Sequence, residues 1–218
     1  MSRHQEGTLE VRTLRSLGEY VRRTLSRRKQ RYAVGRAYDM AREIAPYLAP
    51  QGRVLDVGCG NGFIAYHLRA LLGADVCGVD VLPGATAPIT YSRFDGHELD
   101  FVDDSFDAVL LCYVLHHAED PARLLGEARR VLREGGRVVV YEDVPVTSFD
   151  RLMCLRHDAA WRGRSAADGG ACTFQQPSAW RGLGEALGFD VIAARQLSRL
   201  RDIGHPVRRA FYVFEKRR

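Results

Sequence analysis

The stretch Val54-Leu55-Asp56-Val57 followed by Gly58-Cys59-Gly60-Asn61-Gly62 constrains this chain more than any other. An apolar run that breaks into glycines at alternate positions describes a buried strand turning into a tight loop. Beyond the loop, Phe63, Ile64, Leu68, Leu71 and Leu72 recur at the spacing of one helix face. Glycines at such a bend admit positive φ and remove the side chains that would hold a ligand away. A strand–glycine loop–helix unit at the carboxyl edge of a parallel sheet is a place where nucleotide-like ligands bind. The loop departs from the dinucleotide fingerprint, because its third glycine comes one residue early and Phe63 stands in the expected place. It is no phosphate-cradling loop either, since Phe63-Ile64 replaces the required Lys-Ser or Lys-Thr. Asp56 would repel a pyrophosphate and suits a ligand with a positive group.

Later stretches extend the pattern. Ala74 to Asp80 reads as a second short buried strand ending in an acid twenty residues after Gly60, a spacing at which a carboxylate accepts hydrogen bonds from ribose hydroxyls. Ile89 to Phe94 reads as a third strand, followed by Asp95-Gly96-His97-Glu98-Leu99-Asp100-Phe101. Ser105 to Cys112 reads as a fourth strand, with Val114-Leu115-His116-His117 behind it. Arg130-Val131-Leu132-Arg133-Glu134-Gly135-Gly136 then joins a helix to the apolar run Val138-Val139-Val140. Each of Asp56, Asp80 and Asp95, taken alone, is better read as a turn former or helix cap. Three carboxylates at the ends of successive strands read as a site. Asn61, the single asparagine of the chain, suits the turn itself.

These five stretches, in this order over about residues 52 to 143, resemble the motifs of the class I S-adenosylmethionine (SAM)-dependent methyltransferases, and most nearly those of the ubiquinone/menaquinone-biosynthesis, small-molecule type. Gly96 and Asp100 depart from the family's "D-A-x-x-L-P-F" pattern. The resemblance implies an α/β, Rossmann-like sheet of seven strands, mostly parallel with an antiparallel last strand, and helices on both faces. It implies SAM as cofactor, held by Asp56, Gly58, Cys59, Gly60, Asn61, Gly62, Asp80, Val81, Asp95, Gly96 and Cys112. Within that set Asp80 would serve the ribose and Asp95 the adenine amino group. Only fourteen residues separate Asp80 from Asp95, and Pro83, Gly84 and Pro88 lie among them, so the usual crossover helix is expected to shrink to a turn. The expected reaction moves a methyl group to an O, N or C atom of a small organic molecule. A non-catalytic SAM-binding partner protein and an RNA methyltransferase are the alternatives. Candidate catalytic groups at the ends of strands four and five are His116, His117, Glu142 and Asp143, with His157 farther on, and Glu142 and His117 lead among them.

A helix from about Tyr32 to Leu48 carries Ala37, Met40, Ala41, Ile44 and Leu48 on one face; the resemblance implies that it covers the cofactor site, with Tyr32 or Tyr38 a candidate to line it. Helices are also expected over Phe149–Trp161 and Ser178–Leu187, with a lid-like loop over 162–176. Residues 1–31 are expected to form a basic helical arm and 32–218 the methyltransferase domain. Residues 1–50 hold eleven Arg or Lys against five acids, whereas the rest is close to neutral. Leu14, Leu17, Val21 and Leu25 make a stripe beside Arg22-Arg23 and Arg27-Arg28-Lys29, which suits a packed helix or peripheral contact with an anionic membrane. A nucleic-acid partner is not expected, for no basic patch interleaved with aromatics follows. The five cysteines are scattered without a C-x-x-C pair, which argues against a disulfide framework and against a thiolate metal site; no metal is expected, and the compartment is expected to be the cytoplasm. No run of 18 apolar residues exists to span a membrane, and the N-terminus has no apolar signal core.

Overall fold

The computed structural model describes residues 26–28, 30–162, 171–202 and 204–217. Seven strands form one sheet: β1 (Arg53–Val57), β2 (Asp75–Asp80), β3 (Thr90–Arg93), β4 (Phe106–Cys112), β5 (Leu132–Asp143), β6 (Phe189–Leu197) and β7 (Arg209–Lys216). Their order is β3-β2-β1-β4-β5-β7-β6. Strands β1 to β5 pair in parallel, and β7 runs antiparallel to both of its neighbours, β5 and β6. The last strand is therefore the reversed one, as the resemblance implies.

Period-two alternation sorts the strand residues between two cores. Leu55, Val57, Val109, Leu111, Val138 and Val140 pack on one face with Leu124, Leu125, Ala128 and Val131 of α3 (Pro121–Val131) and Trp180 of α5 (Pro177–Ala186). Val54, Ala108, Leu110, Val139 and Tyr141 pack on the other with Met40, Ala41 and Ile44 of α1 and Ala65 and Leu68 of α2 (Phe63–Leu72). Helix α1 is described over residues 30–44 without a break, so the expected boundary after residue 31 falls inside it. The Leu14 to Leu25 stripe of the arm lies outside the described residues. Helix α4 (Ser148–Arg162) follows β5, with Met153 and Cys154 packed on Val207. Of the expected loop over 162–176, residues 163–170 lie outside the described residues, and 171–176 have no helix or strand.

Between β2 and β3 the chain makes only bends, as the prolines there require. Asp120 caps α3, accepting 3.0 Å bonds from the amides of Ala122 and Arg123, and Pro121 takes the first helical turn. The chain steps outward from β1 to β3 and then returns to β4 on the other side of β1. The crevice above the ends of β1 and β4 is thus the point where strand order reverses, and ligands bind there in open α/β sheets.

Gly184 marks where α5 meets the sheet, since a β-carbon on it would lie 2.7 Å from the buried ring of Phe214. Gly184→Ala is expected to lower stability by about 1–2 kcal/mol in urea unfolding, the overpacking outweighing the gain in helix propensity. An unchanged midpoint would mean that α5 can shift on β7.

Candidate functional site

The loop after β1 is built around two close approaches. Gly58 takes a φ of 65°, and a β-carbon there would sit 2.4 Å from Val114, which follows β4. The glycine loop and the β4 loop therefore press together across the reversal point with no room for a side chain. Gly60, at φ 53°, has nothing among the described residues within 4 Å of where its β-carbon would be, so its backbone is bare on that side. The amides of Gly58 and Cys59 donate to Val79 at 2.7 and 3.1 Å, and the carbonyl of Asn61 accepts from Thr86 and Ala87. Gly62 precedes the first turn of α2.

Asp80, 7% exposed, ends β2 and accepts from the amides of Gly60 (2.8 Å) and Leu82 (2.9 Å). It fastens the glycine loop to the second strand. Asp56 is 1% exposed and its Oδ2 has no hydrogen-bond partner among the described residues. Burial, aided by the nearby charge of Asp80, pushes the Asp56 carboxyl up to about 7. Asp95 accepts from the amides of His97 (2.8 Å) and Glu98 (3.0 Å), which hold its carboxyl below the usual range. A β-carbon on Gly96 would come 3.3 Å from Val81, so the segments after β2 and β3 also touch. Arg130 of α3 pins the far end of this segment through the carbonyls of Leu99 and Phe101. Cys112 closes the floor, a buried thiol held well above its ordinary value by desolvation and by Asp56 and Glu142.

These residues fit an adenosyl amino-acid cofactor. The glycine backbone leaves a cradle, two carboxylates stand at strand ends, and the orphaned, buried Asp56 Oδ2 suits an ammonium or a water bound to one. The sequence reading of Asp56, Gly58 to Gly62, Asp80, Val81, Gly96 and Cys112 thus falls on one connected crevice edge. Asp95 stands beside Gly96 at that edge.

Past β4 the structure differs from the expectation. Glu142 is fully buried, its Oε1 accepts from the amides of Val114 (3.1 Å) and Leu115 (2.8 Å), and its Oε2 meets Nδ1 of His116. A carboxylate so engaged is an anchor for the β4 loop, not an open proton acceptor toward a substrate. Burial opposes the charged imidazolium of His116, but Glu142 outweighs it and raises that histidine above its ordinary value. Asp143 bonds His205 (2.8 Å) and faces Arg209 (3.2 Å), and these hold its carboxyl low in spite of burial. His117 lies half-buried, with Nε2 3.2 Å from Nε2 of His157 and Nδ1 3.3 Å from Sγ of Cys172. Tyr38 stacks edge-on against His67, and Tyr32 reaches Asp202. Tyr113 and Tyr141 line a cavity beneath α1 instead; sequence reading passed over Tyr113, whose φ of 62° was invisible there, though it directly follows β4.

A family model described as "Methyltransferase domain" matches residues 19–194, and the chain belongs to that family. Its cofactor is S-adenosylmethionine. The chain is 31% identical to the sterol 24-C-methyltransferase of Yarrowia lipolytica, over 66% of this chain and 41% of that protein. It is 35% identical to the demethylmenaquinone methyltransferase of Thermus thermophilus, over 50% of this chain and 53% of that protein. A solved SAM-dependent methyltransferase from Methanosarcina mazei shares the fold with a TM-score of 0.64 at 21% identity, covering 80% of this chain and 96% of that one. The chain spans about half the length of the curated relatives it matches.

Two outcomes follow from the carboxylates. An ammonium favours ionised Asp56, and the free protein carries this group protonated below about pH 7. SAM affinity is therefore expected to fall about tenfold between pH 8 and pH 6, one proton being displaced on binding. Asp56→Asn should bind weakly with a flatter profile in calorimetry, and a wild-type profile as flat as the variant's would remove Asp56 from the ammonium. Glu142→Ala leaves two amides and a buried imidazole unpaired, so unfolding is expected at about 3–5 kcal/mol lower stability. A stable Glu142→Ala protein that binds SAM normally would return Glu142 to the surface-like role of a general base.

Proposed function

We propose that this protein transfers a methyl group from S-adenosylmethionine to an O, N or C atom of a small polar acceptor. The observation that carries this reading is a cavity of about 430 Å³ beneath α1, beside Tyr113 at the end of β4. Its volume lies in the range of small-molecule sites. Arg36 and Arg209 each place a guanidinium 5.7 Å from the centre of the Tyr113 ring, and Arg42 and Arg201 stand in the same walls with Asp39, Glu43 and Asp202. Walls that mix both charges suit a polar acceptor better than a hydrocarbon one.

The cofactor, when bound, supplies an electrophilic methyl on a sulfonium. The protein's share is positioning: Asp80 fixes the glycine loop, Glu142 fixes the β4 loop, and Val114 locks the two together. Orientation of this kind supplies much of the rate of a displacement reaction. Asp95 serves the adenine amino group and Asp80 the ribose. Five cysteines without a disulfide among them support a reducing, cytoplasmic setting. The near-neutral charge of the domain favours a small acceptor over RNA.

Calorimetry is expected to show SAM and its demethylated product binding with dissociation constants within about tenfold of each other, a difference of no more than about 1.4 kcal/mol. Incubation of the protein and SAM with pools of small polar metabolites should then yield a product heavier by one methylene in mass spectrometry. Tight binding of NAD in place of SAM would overturn the reading. Binding of SAM without turnover on any pool would favour a regulatory partner protein.

A further inference from the structure

We propose that His116, His117 and His157 hold a divalent transition-metal ion of the zinc class beside the loop that follows β4. One ring nitrogen from each lies within 4.8 Å of one from each of the others. The two histidines that follow β4 meet the third only because α4 folds back over the end of that strand. Nothing in their sequence spacing announces the group, and the expectation of no metal rested on the missing thiolate pairs.

Four observations point to an ion. The Nε2 atoms of His117 and His157 face each other at 3.2 Å. A tetrahedral zinc with nitrogens at 2.0–2.1 Å separates them by about 3.3–3.4 Å. Nε2 of His116, on a side chain with no exposed surface, has no hydrogen-bond partner among the described residues. The outer nitrogens are engaged: Nδ1 of His116 by Glu142 and Nδ1 of His117 by Sγ of Cys172 at 3.3 Å. An outer partner on one ring nitrogen is how metal-bound histidines are oriented. Phe174 stacks on His116 at 4.7 Å and Trp161 on His117 at 4.1 Å, and these rings restrict rotation of the imidazoles.

A second trio, Asp143, His157 and His205, lies alongside. There His205 already bonds Asp143 at 2.8 Å and Arg209 opposes the same carboxylate at 3.2 Å, so the charge is balanced without an ion. The three-histidine group is the better site. Three imidazoles select zinc, cobalt, nickel or ferrous iron over magnesium and calcium. Three protein ligands leave a fourth position open, as catalytic zinc sites do. That position takes water or a small oxygen ligand; the binding of the ion does not rest on the methyltransfer reading.

The test uses the untagged full-length protein, stripped with a chelator and dialysed. Zinc is measured by equilibrium dialysis with elemental mass spectrometry, and cobalt by its visible absorption. One equivalent is expected to bind. His117→Ala and His157→Gln should each weaken binding at least tenfold, with SAM affinity within threefold of the parent; His205→Ala should leave metal binding within threefold. Metal uptake no stronger than that of the His117→Ala/His157→Gln double variant would overturn the site, the 3.2 Å contact then being an N–H···N bond. Loss of uptake in His205→Ala but not in His117→Ala would also overturn it. Because His157→Gln changes a half-exposed side chain, it keeps the test open should His117→Ala fail to fold. A protein that takes up one zinc but no SAM would sink the methyltransfer reading and leave the metal site standing, and the converse result would do the reverse.

Discussion

The contact between Gly58 and Val114 is the constraint on which the crevice depends. It allows no β-carbon, so the loops after β1 and β4 have a single relative position. Each loop is then tied to its own neighbour by a buried carboxylate. Asp80 reaches from β2 to the amide of Gly60, and Glu142 reaches from β5 to the amides of Val114 and Leu115. Four strand ends are thereby joined through backbone amides, which a side-chain substitution on the loops cannot remove. The ligand edge is rigid because acids on the strands, not residues on the loops, hold it.

The same acids set its electrostatics. Burial and the nearby charge of Asp80 raise the cost of ionising Asp56, whose Oδ2 has no hydrogen-bond partner among the described residues. Its folded pKa, about 7, exceeds the unfolded value, so its contribution to stability is fully present below about pH 4 and is lost as pH rises to about 7. A ligand that brings a positive charge to Asp56 reverses that loss, so cofactor binding and stability are coupled at neutral pH. A pyrophosphate could not do this. The chemistry of the loop thus discriminates between cofactors before any specific contact with a base or sugar.

Much of this was legible in the sequence. Strand ends in Asp80, the break after Val57 and the lost crossover helix follow from local signals: glycines, prolines, apolar periodicity and acids at fixed offsets, whereas the reversed last strand followed only from the family resemblance. The buried faces of α1 and α2 follow from helical spacing. What could not be read was anything that depends on two distant segments meeting. Glu142 looks like an open acid at a strand end; only the fold shows the β4 loop turning its amides into it. Tyr113 looks like one more aromatic beside an apolar strand, and its left-handed backbone appears only when the loop must double back toward α2 and Gly58. His157 sits forty residues from His117, and no local pattern predicts their contact.

The end of β5 shows how one strand serves both sides of the crevice. Successive residues of a strand face opposite ways. Tyr141 points to the α1 face, where its hydroxyl donates to Glu43 at 2.5 Å in the wall of the cavity. Glu142 points to the opposite face and fixes the β4 loop and His116. Asp143 returns to the first side and gathers Arg209 and His205. A shift of one residue in the pairing of β5 with β4 would therefore exchange a cavity wall for a loop anchor. The pairs Leu111–Val140 and Cys112–Tyr141, set by close packing of apolar residues far below, forbid that shift. The apolar core thus fixes the site's chemistry through register.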